Sequence, residues 1–363
     1  MRIAFCLGGL NKGGAERVVS NLANYMAKDN EIIIIITKLD KIEYELDEKV
    51  KVFVLDNNSN NKINIIRNIK ILIKMKKILI NNNTDVAIAF LQEPIARLLF
   101  LKKFNRKIRK IKTIISMRID PNHAFNSFKN RLSLSLYNMA DGIVFQTEEA
   151  KQFFNKRIQK KGIIIPNAIN PIFYDLRKKT KRKNVLVSVG RLTKQKNYPM
   201  LINAFSIVSK RYKDYTLEIF GDGVLKQELQ NLIDSLDLKN KILLRGNVKN
   251  IKDEIYNARL FILSSDYEGL SNALMESLAL GIPTISTDSD GGGAKMLIKD
   301  GINGILVPKD DYRYLATKIS DLLDDENLSN KLSMNAIESM KKYNPKKINK
   351  EWSNYINDVI GKK

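Results

Sequence analysis

Runs of isoleucine and valine recur along the chain, each followed by an amphipathic segment, and this alternation restricts the fold more than any other feature. A run such as EIIIII (31–36) offers no polar face, so a strand built from it must be covered on both sides. Parallel strands joined by helices provide that cover. The pattern predicts strands near 2–7, 31–36, 51–55, 85–90, 111–116, 141–145 and 162–166. A second series is predicted near 185–189, 215–220, 241–245, 259–264, 283–286 and 304–307. The fold class is therefore α/β, with two doubly wound Rossmann-like sheets. Between the series lies PIFYDLRKKTKRK (171–183), a proline followed by a basic stretch without periodicity. It sets the boundary between a domain at 1–170 and a second at 171–345. Residues 346–363 form a last helix with the sole tryptophan, Trp352. In doubly wound sheets ligands bind outside the carboxyl ends of the strands, so a cleft between two such domains directs attention to strand-to-helix loops.

Charge narrows the partners. The chain has 62 Lys and Arg against 39 Asp and Glu, a net +23, and 30 of those cations precede residue 167. Lys62 to Lys112 alone holds 14 of them against Asp85 and Glu93. Nucleic acid, anionic lipid and a phosphorylated substrate would all suit such a surface. No nucleic-acid module is recognisable and no aromatics interleave the basic segment, which argues against nucleic acid. Within 62–80, Arg67, Lys70, Lys74 and Lys77 fall on one helical stripe, with isoleucines and leucines in other directions. An anionic membrane surface is the expected partner. No uncharged run approaches the roughly 18–20 residues needed to span a bilayer. The apolar start from Ile3 to Leu10 reads as a first strand, and a single cysteine, Cys6, suits a reducing compartment, so a cytoplasmic location is expected.

Three loops carry chemistry. GGLNKGGAERVV (8–19) follows the first strand, and its glycines, including Gly13 and Gly14, would let backbone amides approach a phosphate. They do not fit the G-x-G-x-x-G dinucleotide pattern. VSVGRLTKQKN (187–197) sets Arg191 and Lys196 five residues apart in one loop, a bidentate fork and a mobile point charge suited to a diphosphate. SSDYEGLSNALMESLALGIPTIST (264–287) puts Glu268 in a loop and Glu276 on the helix expected to begin near Leu270. Carboxylates accept hydrogen bonds from sugar hydroxyls, and the amides from Leu270 through Ser271 and Asn272 to Ala273 would meet a phosphate between them. Solvated surface cations and lysine-paired carboxylates are the structural alternatives.

With these motifs in hand, the sequence resembles the retaining glycosyltransferases of family four, which have the GT-B fold. The resemblance rests on GGAERV (13–18), FQTEEAKQFF (145–154), IPNAINPIF (165–173), VGRLTKQKN (189–197), GDG (221–223), RGNVKNI (245–251), EGLSNALMESLALGIPTIS (268–286) and DGINGILVP (300–308). It implies a nucleotide-sugar donor, most often a UDP-sugar. Arg191 and Lys196 would hold its diphosphate, Glu276 the ribose, Glu268 the transferred sugar, and the loop from Gly246 to Val248 the base. Gly13 and Gly14 would wall the cleft, and the final helix would cross back to the first domain.

Many family members have a histidine where this chain reads ISMRIDPNH (115–123). Arg118 is the nearest equivalent and His123 follows five residues later, so both are candidate sugar or acceptor contacts. This segment is similar to bacterial surface-polysaccharide transferases with S-x-R-x-D/N-P, which implies a polyprenyl-diphosphate-linked saccharide acceptor at the inner face of the cytoplasmic membrane, and a capsule or related polymer as product. A non-hydrolysing UDP-sugar epimerase would share the fold, but one histidine in the whole chain argues against it. Asp288-Ser289-Asp290 mimics a metal-binding D-x-D at a place where this fold has an unrelated loop, so neither metal nor other cofactor is expected. Alanine at Arg191 or Lys196 should slow turnover by about 10²–10³ with folding nearly untouched.

Overall fold

The computed structural model describes residues 1–11, 13–39, 42–57, 65–126, 128–174 and 182–361, with backbone alone for 128–132. The first sheet is formed by β1 (Arg2–Leu7), β2 (Glu31–Ile36), β3 (Lys51–Val54), β4 (Val86–Phe90), β5 (Lys112–Ser116), β6 (Gly142–Phe145) and β7 (Gly162–Ile164). Their order is β3-β2-β1-β4-β5-β6-β7. The second sheet contains β8 (Lys183–Val189), β9 (Thr216–Phe220), β10 (Ile242–Gly246), β11 (Ala258–Leu263), β12 (Thr284–Thr287) and β13 (Ile305–Val307), ordered β10-β9-β8-β11-β12-β13. Every pairing within both sheets is parallel. All thirteen strands expected from the apolar runs are present, and the chain order reverses beside β1 and again beside β8, the switch points at which such sheets bind ligands.

The chain divides into two compact units, 1–167 with 346–363, and 168–345. The returning helix, Pro345–Gly361, is bound into the first unit by its own side chains. Trp352 is fully buried and stacks on Phe90 at 5.8 Å between ring centroids. The Tyr355 hydroxyl accepts from Ile143 N at 2.7 Å and donates to the Lys161 carbonyl. Burial alone raises the Cys6 thiol to about 12, which keeps it protonated in the core of the first sheet.

The helix Ile65–Asn81 departs from its sequence expectation. Ile71, Met75, Ile78 and Leu79 are buried, whereas Ile65, Ile66, Ile69 and Ile73 lie 49–80% exposed among the exposed Lys70, Lys74 and Lys77. Arg67 leaves the expected stripe, because Nε is paired with Asp56 at 2.6 Å. Apolar residues occur all around this helix and one face suffices to pack it, so the remainder stay outside. Its expected start at Lys62, and 175–181 of the boundary stretch, lie outside the described residues.

Candidate donor site

The loops after β8 and β11 are joined by hydrogen bonds that aim two candidate side chains at one another. After β8 the chain turns at Gly190 and makes a 3-10 turn, Lys194–Lys196. It then enters the helix Tyr198–Arg211, whose cap Asn197 accepts from Met200 N through Oδ1. Asn197 also donates from Nδ2 to Asp266 Oδ1 at 2.7 Å. Asp266 N donates to the Gln195 carbonyl at 2.9 Å, and Gln195 Nε2 donates to the Tyr267 carbonyl at 2.9 Å. Ser264 Oγ donates to the Lys196 carbonyl at 2.8 Å. With both backbones fixed, Lys196 Nζ forms an ion pair with Glu268 Oε1, and the side chains are 12% and 10% exposed. Ser265 Oγ donates to the same oxygen at 2.8 Å. Burial raises the Asp266 carboxyl above its ordinary range, partly opposed by the Asn197 hydrogen bond.

Close glycine approaches make this packing possible. Gly221 has φ +137°, and a Cβ there would stand 2.0 Å from the Gly190 carbonyl oxygen. Gly190 in turn leaves room for Lys196, whose Cε would meet a Cβ at 2.8 Å. On the other side, a Cβ at Gly293 would stand 1.8 Å from the Gly269 carbonyl oxygen. Both atoms of that collision are fixed to backbone, so Gly293→Ala must displace the Glu268–Leu270 loop. We expect a loss of about 3 kcal/mol or more in unfolding experiments on the full chain, and a Tm equal to wild type would disprove the packing argument.

Glu268 N donates to the Asp290 carbonyl at 2.8 Å, and the chain then enters the helix Asn272–Ala279. That helix begins two residues later than expected. Ser271 is its cap, accepting from Leu274 N, so Leu270 precedes it and Asn272 and Ala273 form its first turn. Glu276 is buried on the same helix, at 6% exposure. Arg191 is exposed, and among the described residues its guanidinium has neither an ion pair nor a hydrogen bond. Gly246 accepts from Gly221 N at 2.8 Å, and Val248 joins a cavity of about 450 Å³ lined also by Phe220, Arg245 and Glu254. The D-x-D look-alike is taken up by lysines, Asp288 by Lys295 at 2.7 Å and Asp290 by Lys309 at 2.6 Å.

The remaining candidates belong to the first unit. Gly13 caps the helix Gly14–Met26, and the Tyr44 hydroxyl both accepts from its N–H at 3.2 Å and donates to its carbonyl at 2.9 Å. Arg118 Nη1 donates to Asn167 Oδ1 at 2.6 Å. His123 Nε2 stands 3.8 Å from the buried Asp120 Oδ2. The fold thus brings Lys196 and Glu268 into contact and adds Ser265, Gln195, Asn197 and Tyr44, which the sequence does not mark. Hydroxyls and amides of that kind carry no periodic or spacing signal.

Comparison with known proteins decides the family. Residues 175–339 match the model of glycosyl transferases group 1. The chain is 30% identical over 371 residues to a GalNAc-alpha-(1->4)-GalNAc-alpha-(1->3)-diNAcBac-PP-undecaprenol alpha-1,4-N-acetyl-D-galactosaminyltransferase of Campylobacter jejuni, covering 99% of both chains. The chain belongs to the group 1 glycosyltransferases. A second Campylobacter jejuni relative of this glycosyltransferase, an N-acetylgalactosamine-N,N'-diacetylbacillosaminyl-diphospho-undecaprenol 4-alpha-N-acetylgalactosaminyltransferase, is 31% identical, with 98% of this chain and 99% of that one aligned. The fold of the present chain is that of Anabaena HepE, solved in complex with UDP-glucose, at a TM-score of 0.80, 17% identity and coverage of 99% and 100%. The resemblance to GT-B transferases and the two-sheet α/β fold stand.

Proposed function

We propose that this glycosyltransferase moves a hexose or N-acetylhexosamine from a UDP-sugar to a polyprenyl-diphosphate-linked saccharide, with retention at the anomeric carbon, in bacterial surface-glycan assembly. The observation that carries the reading is the convergence of the Arg191–Lys196 loop, Glu268 and, four residues on, the start of a capped helix, with the two loops held together by hydrogen bonds to their backbones. Cations and helix amides suit a diphosphate, and a fixed carboxylate suits sugar hydroxyls. The two relatives with undecaprenol-linked substrates support the acceptor class.

In the proposed step the bond from the anomeric carbon to the diphosphate oxygen breaks as the acceptor oxygen attacks from the same face. The acceptor's proton passes to the departing diphosphate oxygen. Arg191, Lys196 and the amides near Leu270–Ala273 stabilise the charge that develops on that leaving group. Glu276 would hold the ribose and the Gly246–Val248 loop the base. The test uses the full chain, a panel of UDP-sugars and a synthetic polyprenyl-diphosphate saccharide. An α-linked product is expected by the anomeric proton coupling in NMR, with activity unchanged in excess chelator. A β-linked product would exclude retention, and loss of activity in chelator would exclude charge stabilisation by protein groups alone.

Among the described residues no helix is long and apolar enough to cross a membrane. The exposed isoleucines of helix Ile65–Asn81, set among Lys70, Lys74 and Lys77, support docking on an anionic leaflet, each cation near the surface contributing about 1 kcal/mol. Because the face is mixed, binding to anionic vesicles should weaken with salt yet retain an apolar residue of affinity. Joint replacement of Ile65, Ile66 and Ile69 by serine should remove that salt-resistant part. Equal co-sedimentation with neutral and anionic vesicles would sink the idea.

A further inference from the structure

At the carboxyl ends of β4 and β5 in the first unit, buried donors lack acceptors. Arg118 uses Nη1 on Asn167 Oδ1, an oxygen that also accepts from Gln146 Nε2 at 2.9 Å. Its Nε and Nη2 are buried without a hydrogen-bond partner, and so is the indole Nε1 of Trp352. The guanidinium carbon is 5.1 Å from the Phe90 ring centroid and 5.6 Å from that of Trp352. Those ring contacts offset part of the desolvation through the π faces, but they satisfy no N–H. Among the described residues no carboxylate pairs with Arg118, and Asp120, two residues on, accepts from Asn122 instead.

The chemistry of the unpartnered edge is specific. Nε–H and Nη2–H lie parallel within the guanidinium plane, forming the edge that receives two oxygens of a carboxylate or phosphate side by side. A hydroxyl cannot accept both bonds as well, and it brings no countercharge. Burial lowers the Arg118 guanidinium to about 9, as expected for a cation without its counterion.

We infer that the Nε/Nη2 edge of Arg118, with the Trp352 indole N–H beside it, is an oxyanion seat of the first unit. Two sources share this chemistry, the phosphate of a diphosphate-linked acceptor and the carboxylate of an acidic sugar. Only the naming of the first source rests on the proposed function.

The experiment follows thermal unfolding of the full chain in saturating UDP, so that the donor's diphosphate contacts are filled. Inorganic phosphate, pyrophosphate and glucuronate are added at matched ionic strength. One of these anions should raise the wild-type Tm by several degrees with saturation. Phosphate or pyrophosphate acting alone identifies the phosphate source, and glucuronate acting alone the carboxylate. Arg118→Met should abolish the response and Arg118→Lys, a point charge without the fork, should reduce it. Arg118→Met should also be no less stable than wild type without added anion, since it removes an uncompensated buried charge. If Arg118→Met does not fold, the wild-type Arg118 Nε–H resonance must shift on titration with the same anions. An unchanged anion response in Arg118→Met, or no response and no resonance shift in wild type, would overturn the seat and leave Arg118 a clamp on Trp352. The stabilisation by UDP itself must be equal in wild type and Arg118→Met, so a failed donor reading and a failed seat give different results.

Discussion

Lys196→Ala should lower turnover by about 10²–10³ at saturating donor and also lower stability, whereas Arg191→Ala should lower turnover alone. The difference comes from what each cation touches. Arg191 is exposed, so its removal exposes no buried partner. Lys196 neutralises Glu268, and both side chains are nearly buried. Removing one member of such a pair commonly costs about 3–5 kcal/mol, because the other is left as an uncompensated charge. Ser265 Oγ still donates to Glu268 and should moderate the loss. This corrects the expectation that folding would be indifferent to both substitutions. A double-mutant cycle separates the effects: Lys196→Ala with Glu268→Ala should be more stable than the sum of the single losses requires. Strict additivity, measured by denaturant unfolding, would show that the pair carries no coupling.

Much of this was legible because it is written in periodicity. EIIIII and VAIAF have no polar face and had to be buried parallel strands, and their order through the chain set both sheets. Motif spacing likewise brought Lys196 and Glu268 to neighbouring loops. What could not be read was their direct contact, since an ion pair across 72 residues depends on Ser264, Gln195 and Asn197 holding two backbones together. The exposed isoleucines of helix Ile65–Asn81 escaped for a different reason. A helix apolar on all sides does not declare which face the sheet takes. Arg118 was legible as a candidate sugar or acceptor contact through its S-x-R-x-D/N-P segment, but the burial of its Nε and Nη2 without a partner leaves no trace in a sequence pattern.

Glu268→Ala should cost about 10²–10³ in rate, while Glu268→Gln should keep a substantial part of the activity. If the side chain grips hydroxyls of the transferred sugar, glutamine preserves its length and a hydrogen-bonding oxygen, and Ser265 can still donate to it. What it loses is charge. Hydrogen bonds to charged groups are stronger than neutral ones by about 1–1.5 kcal/mol, which is about tenfold in rate. The alternative role is covalent, with Glu268 attacking the anomeric carbon as in retaining glycosidases, and there glutamine would be as inert as alanine. Engagement of Oε1 by both Lys196 and Ser265 disfavours that role, because those contacts stabilise the carboxylate and lower its nucleophilicity. Lys196 complicates the comparison in one direction only. Either substitution takes the countercharge from the ammonium, and alanine takes the acceptor as well, so stability should fall in both variants and kcat must be compared at temperatures where both are folded. Equal inactivation of Glu268→Gln and Glu268→Ala under those conditions, with an α-linked product from wild type, would replace front-face transfer by a two-step path through a glycosyl-enzyme.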